Sequence, residues 1–242
     1  MSSKLSEREL LNLLLRLLSR TTPHGTERTL APLLPKGGIW DKADNYVVEV
    51  GSGSQTMFAC HLDTVCTERM KTKAILKHGM IYSKRKRCPI GGDDKAGVLC
   101  LIAMIHAGIP GTFVFHAGEE CGGIGASHIA ATMELSRFKR AIEFDRRGTS
   151  SVITNMGWSE TCSAGFANTL CGRLGMGFKP DPTGIFTDTS NYIEMISEVT
   201  NISVGYSGNH TANETLDAAW LILKLIMSKL KLRQKQEKKT GL

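Results

Sequence analysis

A short apolar run, Thr112-Phe-Val-Phe-His-Ala, leads into Gly118 and two adjacent carboxylates, Glu119 and Glu120. The run is β-branched and aromatic and too short for a helix, so it reads as a buried strand. In open α/β sheets, ligands bind just outside the carboxyl ends of the strands. Adjacent residues leaving a strand point to opposite sides, so Glu119 and Glu120 are expected to do different jobs. A Glu-Glu pair by itself also fits a solvated loop after a core strand. The other strand ends decide between these readings.

Ser6-x-x-Glu9 is a capping box ahead of Leu10, Leu11, Leu13, Leu14, Leu17 and Leu18, which predicts an amphipathic helix. Residues 21–25 break it, and a second short helix runs to about Leu34. Strands follow at 46–50 and 57–62, then a hairpin over 73–84 turning at His78-Gly79. Lys84-Arg85-Lys86-Arg87 reads as a solvated loop. Gly91-Gly92-Asp93-Asp94 opens an apolar helix to about His106. After the strand at 112–117 come a helix at 124–133, strands at 140–145 and 151–156, and a helix over 159–173. Residues 176–192 are rich in Gly, Pro and Asp. A strand at 201–205 precedes a long amphipathic helix beginning near Asn213. Strands alternating with helices predict an α/β fold of three layers, with a mostly parallel central sheet flanked by helices.

The formal charge is +7, and six Lys or Arg against one Glu lie from Ser228 onward. The remainder is therefore close to neutral. We expect one domain over 1–228 and a basic, disordered tail over 229–242. No nucleic-acid-binding motif accompanies that tail, which argues against a nucleic-acid partner. The seven cysteines form no C-x-x-C pair, and Cys60, Cys100 and Cys121 read as buried thiols. Leu10–Leu18 is interrupted by Asn12 and Arg16 and is too short to span a bilayer. These features predict a cytoplasmic protein with no membrane partner.

Several segments end in metal-ligand chemistry. His61-Leu-Asp63 closes one strand, Asp93-Asp94 opens a helix, Glu119-Glu120 and Asp145 close two more strands, and His210 follows the last. Two imidazoles and several carboxylates suit zinc, with cobalt or manganese as alternatives. Strand alternation puts His61 and Asp63 on one face, where Asp63 can accept the other ring N–H of His61 and fix its tautomer. Taken singly, Asp93-Asp94 also fits a helix N-cap, and Asp145-Arg146-Arg147 a surface ion pair. Their joint occurrence at element ends favours a site.

His61-Leu-Asp63-Thr-Val, Gly92-Asp93-Asp94-Lys-Ala-Gly97, Gly118-Glu119-Glu120, Glu143-Phe-Asp145, Thr187-Asp188 and His210-Thr-x-x-Glu214 resemble, in order, the motifs of the co-catalytic zinc exopeptidases. That clan includes bacterial leucine aminopeptidases, peptidase T and the carboxypeptidase G type. The resemblance implies two divalent metal ions bridged by Asp93. His61 and Asp145 would complete one metal site, and Glu120 and His210 the other. Glu119 would be the general base, and Asp63 would orient His61. Asp188, Tyr206 and Glu214 are candidate substrate contacts. Many relatives insert a domain between the Asp145 and Asp188 motifs. Here only residues 146–187 separate them, so a minimal form is implied.

The function implied is hydrolysis of an amide bond by metal-activated water, with a short peptide as the substrate of an aminopeptidase. Within the same chemistry, an N-acyl or aminoacyl amide of a non-peptide molecule is an alternative. A different class, a non-catalytic binding protein engaging a partner through its basic tail, would be marked by a lost ligand. No position of the motif set is lost.

Overall fold

The capping box forms as read. Ser6 Oγ accepts from the Glu9 backbone N–H, and the Glu9 carboxylate accepts from the Ser6 N–H at 2.7 Å, opening α1 (Glu7–Leu17). This is a computed structural model, and it describes residues 5–84 and 88–225. The tail over 229–242 and the end of the expected domain at 228 lie outside the described residues, as do Arg85, Lys86 and Arg87.

The main sheet has eight strands. Its centre is four parallel strands: β3 (Thr56–His61), β6 (Gly111–His116), β7 (Arg140–Arg146) and β12 (Glu198–Ser203), in spatial order β6-β3-β7-β12. Beyond β6 lie β2 (Tyr46–Val50) and β1 (Ile39–Trp40), paired antiparallel. Beyond β12 lie β8 (Ser151–Ile153), antiparallel, and β11 (Lys179–Asp181). Strand alternation divides the core in two. Phe58, Phe113, Phe115 and Ile142 face the side covered by α1, α2 (Gly92–His106), α4 (Ala164–Leu174) and a last helix, α5, over 218–225. Met57, Val114, Ala141 and Val199 face α3 (Ile124–Thr132) and the 3-10 turn Asp188–Tyr192. The three-layer, mostly parallel α/β architecture is the one expected. Among the described residues, no helix is long and apolar enough to cross a membrane.

A second sheet of four strands stands at the carboxyl end of the first. It contains the hairpin β4 (Ala74–Lys77) and β5 (Met80–Ser83), extended by β14 (Thr215–Asp217) and β13 (Tyr206–Ser207). The 208–214 loop between β13 and β14 carries His210.

Some local readings are corrected. The helix expected over 159–173 starts later, because Ser159–Glu160 (β10) turns back antiparallel onto Asn155–Met156 (β9). Ser163 is the true cap, its Oγ accepting from Phe166 N–H at 3.2 Å. The strand expected over 151–156 is broken at Thr154 between β8 and β9. The strand expected over 201–205 runs instead over Glu198–Ser203. The last helix does not begin near Asn213, because 215–217 pairs with β5. Asp217 caps α5 by accepting from Trp220 N–H at 2.9 Å.

Candidate metal centre

β3, β6 and β7 lie side by side and parallel, so His61, Glu119, Glu120 and Asp145 emerge at one end of the sheet. Asp93 and Asp94 reach the same end from the start of α2. Gly97 lets that helix close on β7: a Cβ there would lie 2.0 Å from the Phe144 carbonyl oxygen. The Asp93–Asp94 peptide is cis. The two aspartates part company. Asp94 Oδ1 accepts from Gly97 N–H at 3.0 Å and Oδ2 from His61 N–H at 3.2 Å, so Asp94 acts as the helix cap. Asp93 faces the cluster.

Asp93 stands between the two imidazoles. Its Oδ1 is 3.1 Å from His61 Nε2 and its Oδ2 is 3.2 Å from His210 Nε2. His61 Nε2 is also 3.5 Å from Asp145 Oδ1, and His210 Nε2 is 3.1 Å from Glu120 Oε2. His61, Asp93 and Glu120 present ligand atoms within 4.8 Å of one another, as do His61, Asp94 and Asp145. Asp94 is committed to two backbone N–H groups, whereas Asp93 faces both imidazoles.

The charge balance fits divalent cations. Burial pushes the Glu119 carboxyl up to about 9 and Glu120 up to about 7. Asp145 is raised by burial and by Asp93 beside it. Asp93 resists its burial and is held below the usual range by hydrogen bonds from His210 and His61. Hydrogen bonding to Asp93 raises His210 to about 9. Such a group of buried acids cannot all ionise unaided, and a cation removes the conflict. Glu120 Oε1 is buried with no hydrogen-bond partner among the described residues, as an oxygen reserved for a ligand would be.

Asp63 is fully buried and has a task that its sequence position did not disclose. Its two oxygens accept from the backbone N–H groups of Glu119 and Glu120, each at 3.1 Å. Burial alone would raise its pKa, but the His61 ring and these two donors hold it below the usual range. The expected contact with His61 differs in detail. His61 Nδ1 lies 3.0 Å from the Asp63 backbone oxygen and 3.5 Å from its carboxylate, so the carbonyl fixes the tautomer. The Glu119 carboxylate has no hydrogen-bond partner among the described residues.

The three residues expected to touch substrate are all buried. Tyr206 is buried, and its hydroxyl donates to the Asp145 backbone oxygen at 2.9 Å and to Asp145 Oδ1 at 3.1 Å. Glu214 is buried too, its oxygens accepting from Gly91 and Asp93 N–H at 2.8 Å each. Both brace residues of the cluster, Asp145 and Asp93. Asp188 is fully buried beside Glu143, both its oxygens lacking partners among the described residues, and burial with Glu143 nearby raises it well above its usual value.

Other supports went unassigned in the sequence. Thr187 Oγ1 donates to Asp145 Oδ2 at 3.0 Å, and Asn201 Oδ1 accepts from Asp145 N–H at 2.9 Å. Asn209 Nδ2 donates to Asp93 Oδ2 at 2.9 Å. Thr187 and Asn209 directly precede motif residues, which is a usable signal. Asn201 lies within a strand and has none. Cys121, expected to be buried, is exposed, just ahead of two glycines with left-handed backbone, Gly122 and Gly123. None of the seven cysteines is paired.

No protein-family model and no curated protein matches the chain. Solved structures do. Aminopeptidase PepT from Bacillus cereus matches with a TM-score of 0.74 at 15% identity, over 93% of this chain and 98% of that one. The chain shares that protein's fold. A tripeptidase from Staphylococcus aureus matches with a TM-score of 0.69 at 18% identity, over 95% of this chain and 99% of that one. The TET1 peptidase of Pyrococcus horikoshii, which can assemble into a tetrahedron or a large octahedral shell, matches with a TM-score of 0.63 at 17% identity, over 90% and 98%. At these identities the likeness is one of fold, and function rests on the site.

Proposed function

We propose that the chain is a di-metal amide hydrolase, acting as an aminopeptidase on short peptides. One observation supports this most: the two oxygens of Asp93 each face a different imidazole, about 3 Å away. A carboxylate placed in this way suits two ions sharing one bridge. In this proposal His61 and Asp145 complete one site, and Glu120 and His210 the other. Zinc fits the nitrogen and carboxylate donors, with cobalt or manganese as alternatives. Ions held there would lower the pKa of water toward about 7 and polarise the scissile carbonyl.

The chain's own residues supply the rest. Glu119, close to the cluster and unbonded, accepts a proton from the attacking water and passes it to the leaving amine. Asp63 fixes the peptide of Glu119 and Glu120 and, through its carbonyl, the ring of His61. Tyr206 and Thr187 hold Asp145, while Glu214 and Asn209 hold Asp93. The unpaired cysteines suit a reducing compartment, and we read the location as cytoplasmic.

Elemental analysis of purified protein after zinc or cobalt addition, beside a panel of dipeptides and N-acyl amides, tests the proposal. Two tightly held metals per chain and cleavage of unblocked dipeptides are expected. Cleavage confined to N-acyl amides would move the substrate to the non-peptide class. No specific metal uptake would overturn the proposal.

A further inference from the structure

Two thiols outside the proposed metal centre face each other. Cys66 lies on the loop after β3, and Cys88 on the segment that leads into α2. Both line a pocket of about 370 Å³ that has Glu120 in its wall. Their side chains hydrogen-bond to one another, and Thr21 is a second partner of Cys66. Anchors on either side build this meeting. Thr64 N–H donates to the Thr22 carbonyl at 2.9 Å, and Thr64 Oγ1 accepts from Thr22 N–H at 2.9 Å. The far end of the same loop is held by Met70, whose N–H donates to Thr21 Oγ1 at 2.7 Å. Beyond Cys88, Ile90 is fully buried, and Gly91 N–H donates to Glu214 Oε2 at 2.8 Å. Two anchored segments, distant in the chain, thus present adjacent thiols.

Exposure divides the pair. Cys66 is half-buried, whereas Cys88 is buried at 8% exposure. Burial and the adjacent Cys88 push the Cys66 thiol up to about 11, with the Lys95 amine opposing. Cys66 is therefore almost wholly protonated at neutral pH, and a protonated thiol is a slow nucleophile. A sulfur of high pKa is also a poor leaving group, so a disulfide made here resists reduction once formed.

We propose that Cys66 and Cys88 are an oxidisable dithiol, which a small disulfide of the glutathione type converts into a covalent staple across the pocket beside Glu120. The more accessible Cys66 attacks first, as thiolate, on one sulfur of the glutathione disulfide. A mixed disulfide forms, and the expelled glutathione thiolate takes up the proton that Cys66 lost. Cys88 then attacks the Cys66 sulfur as thiolate and expels the second glutathione, which takes up the proton of Cys88. The protein loses two electrons and two protons, and one glutathione disulfide becomes two thiols. On the amide-hydrolase reading, on which this last step rests, the staple narrows the approach to Glu120 and slows turnover.

The full chain, zinc-loaded and reduced with a phosphine, is held in glutathione buffers of rising disulfide fraction. Samples are quenched in acid, and their disulfides are mapped by tandem mass spectrometry. A link between Cys66 and Cys88 is expected in most chains in the oxidised buffers, absent from Cys66→Ser and reversed by the phosphine. No link, a link from either residue to Cys121 instead, or a glutathione adduct that never resolves overturns the proposal. Dipeptide hydrolysis is read on the same samples. It should fall about tenfold as the link forms, as closure at the entrance to a site does, and the same buffers should leave the rate of Cys66→Ser unchanged. An unchanged rate in linked wild-type protein overturns the narrowing of the approach. A link that forms in protein cleaving no dipeptide, reduced or oxidised, upholds the dithiol and overturns the hydrolase reading instead.

Discussion

The two imidazoles at the centre are chemically alike and structurally opposite. His61 ends a central parallel strand and is 1% exposed, with its backbone N–H on Asp94 and its ring set by the Asp63 carbonyl. His210 sits on the loop between β13 and β14, its side chain is 50% exposed, and its backbone is left-handed at φ 61°. One half of the centre is built into the core, and the other is brought to it by a smaller sheet. A buried site offers fixed geometry, while a loop offers access for substrate.

The hardest test of that contrast removes what the halves share. Asp93→Ala should erase the difference, dropping bound metal from two ions to fewer than one and activity to background. Retention of one tightly held ion would show that the halves bind independently. Glu119→Gln should retain both ions and lower kcat about 10²- to 10⁴-fold; a near-normal rate would remove Glu119 from the role of base. Next comes stability without metal. His61→Ala should cost about 2–3 kcal/mol in a denaturant titration of chelated protein, as a buried side chain leaves a cavity. His210→Ala should cost less than about 0.5 kcal/mol, as exposed substitutions do. Similar costs would break the comparison.

A finer effect lies one step out. Glu214→Gln replaces an acceptor that holds Asp93 N–H, and should weaken metal binding about tenfold without altering the fold. Ser6→Ala removes the α1 cap, far from either half. It should cost about 1 kcal/mol and leave metal stoichiometry at its wild-type value.

What the sequence disclosed follows the range of the interactions involved. Strands β3, β6 and β7 have local signatures, and acids or histidines at their ends are read from neighbours in the chain. The Ser6 cap is equally local. Tyr206 was read as a substrate contact from its place four residues before His210, and Glu214 as an acid on motif position, yet their partners are Asp145 and the Gly91–Asp93 segment, far away in sequence. The 215–217 strand was hidden for the same reason. Its partner is Met80–Tyr82, and propensity in its own window favours the helix that follows. The 159–160 strand is a counterexample, a local hairpin obscured because Ser159 looks like a helix start.

The parallel order β6-β3-β7-β12 also bears on how the protein reaches its native state. No two neighbours in that core can be joined by a tight hairpin, so each pairing closes a long stretch of chain. Folding of such sheets is slowed by the entropy of those closures. Asp93, His61, Asp145 and His210 come together only when the strands from both halves of the chain have met. On the di-metal reading, metal affinity is therefore also a gauge of completed folding: a nascent or partly unfolded chain presents the same donors, but scattered.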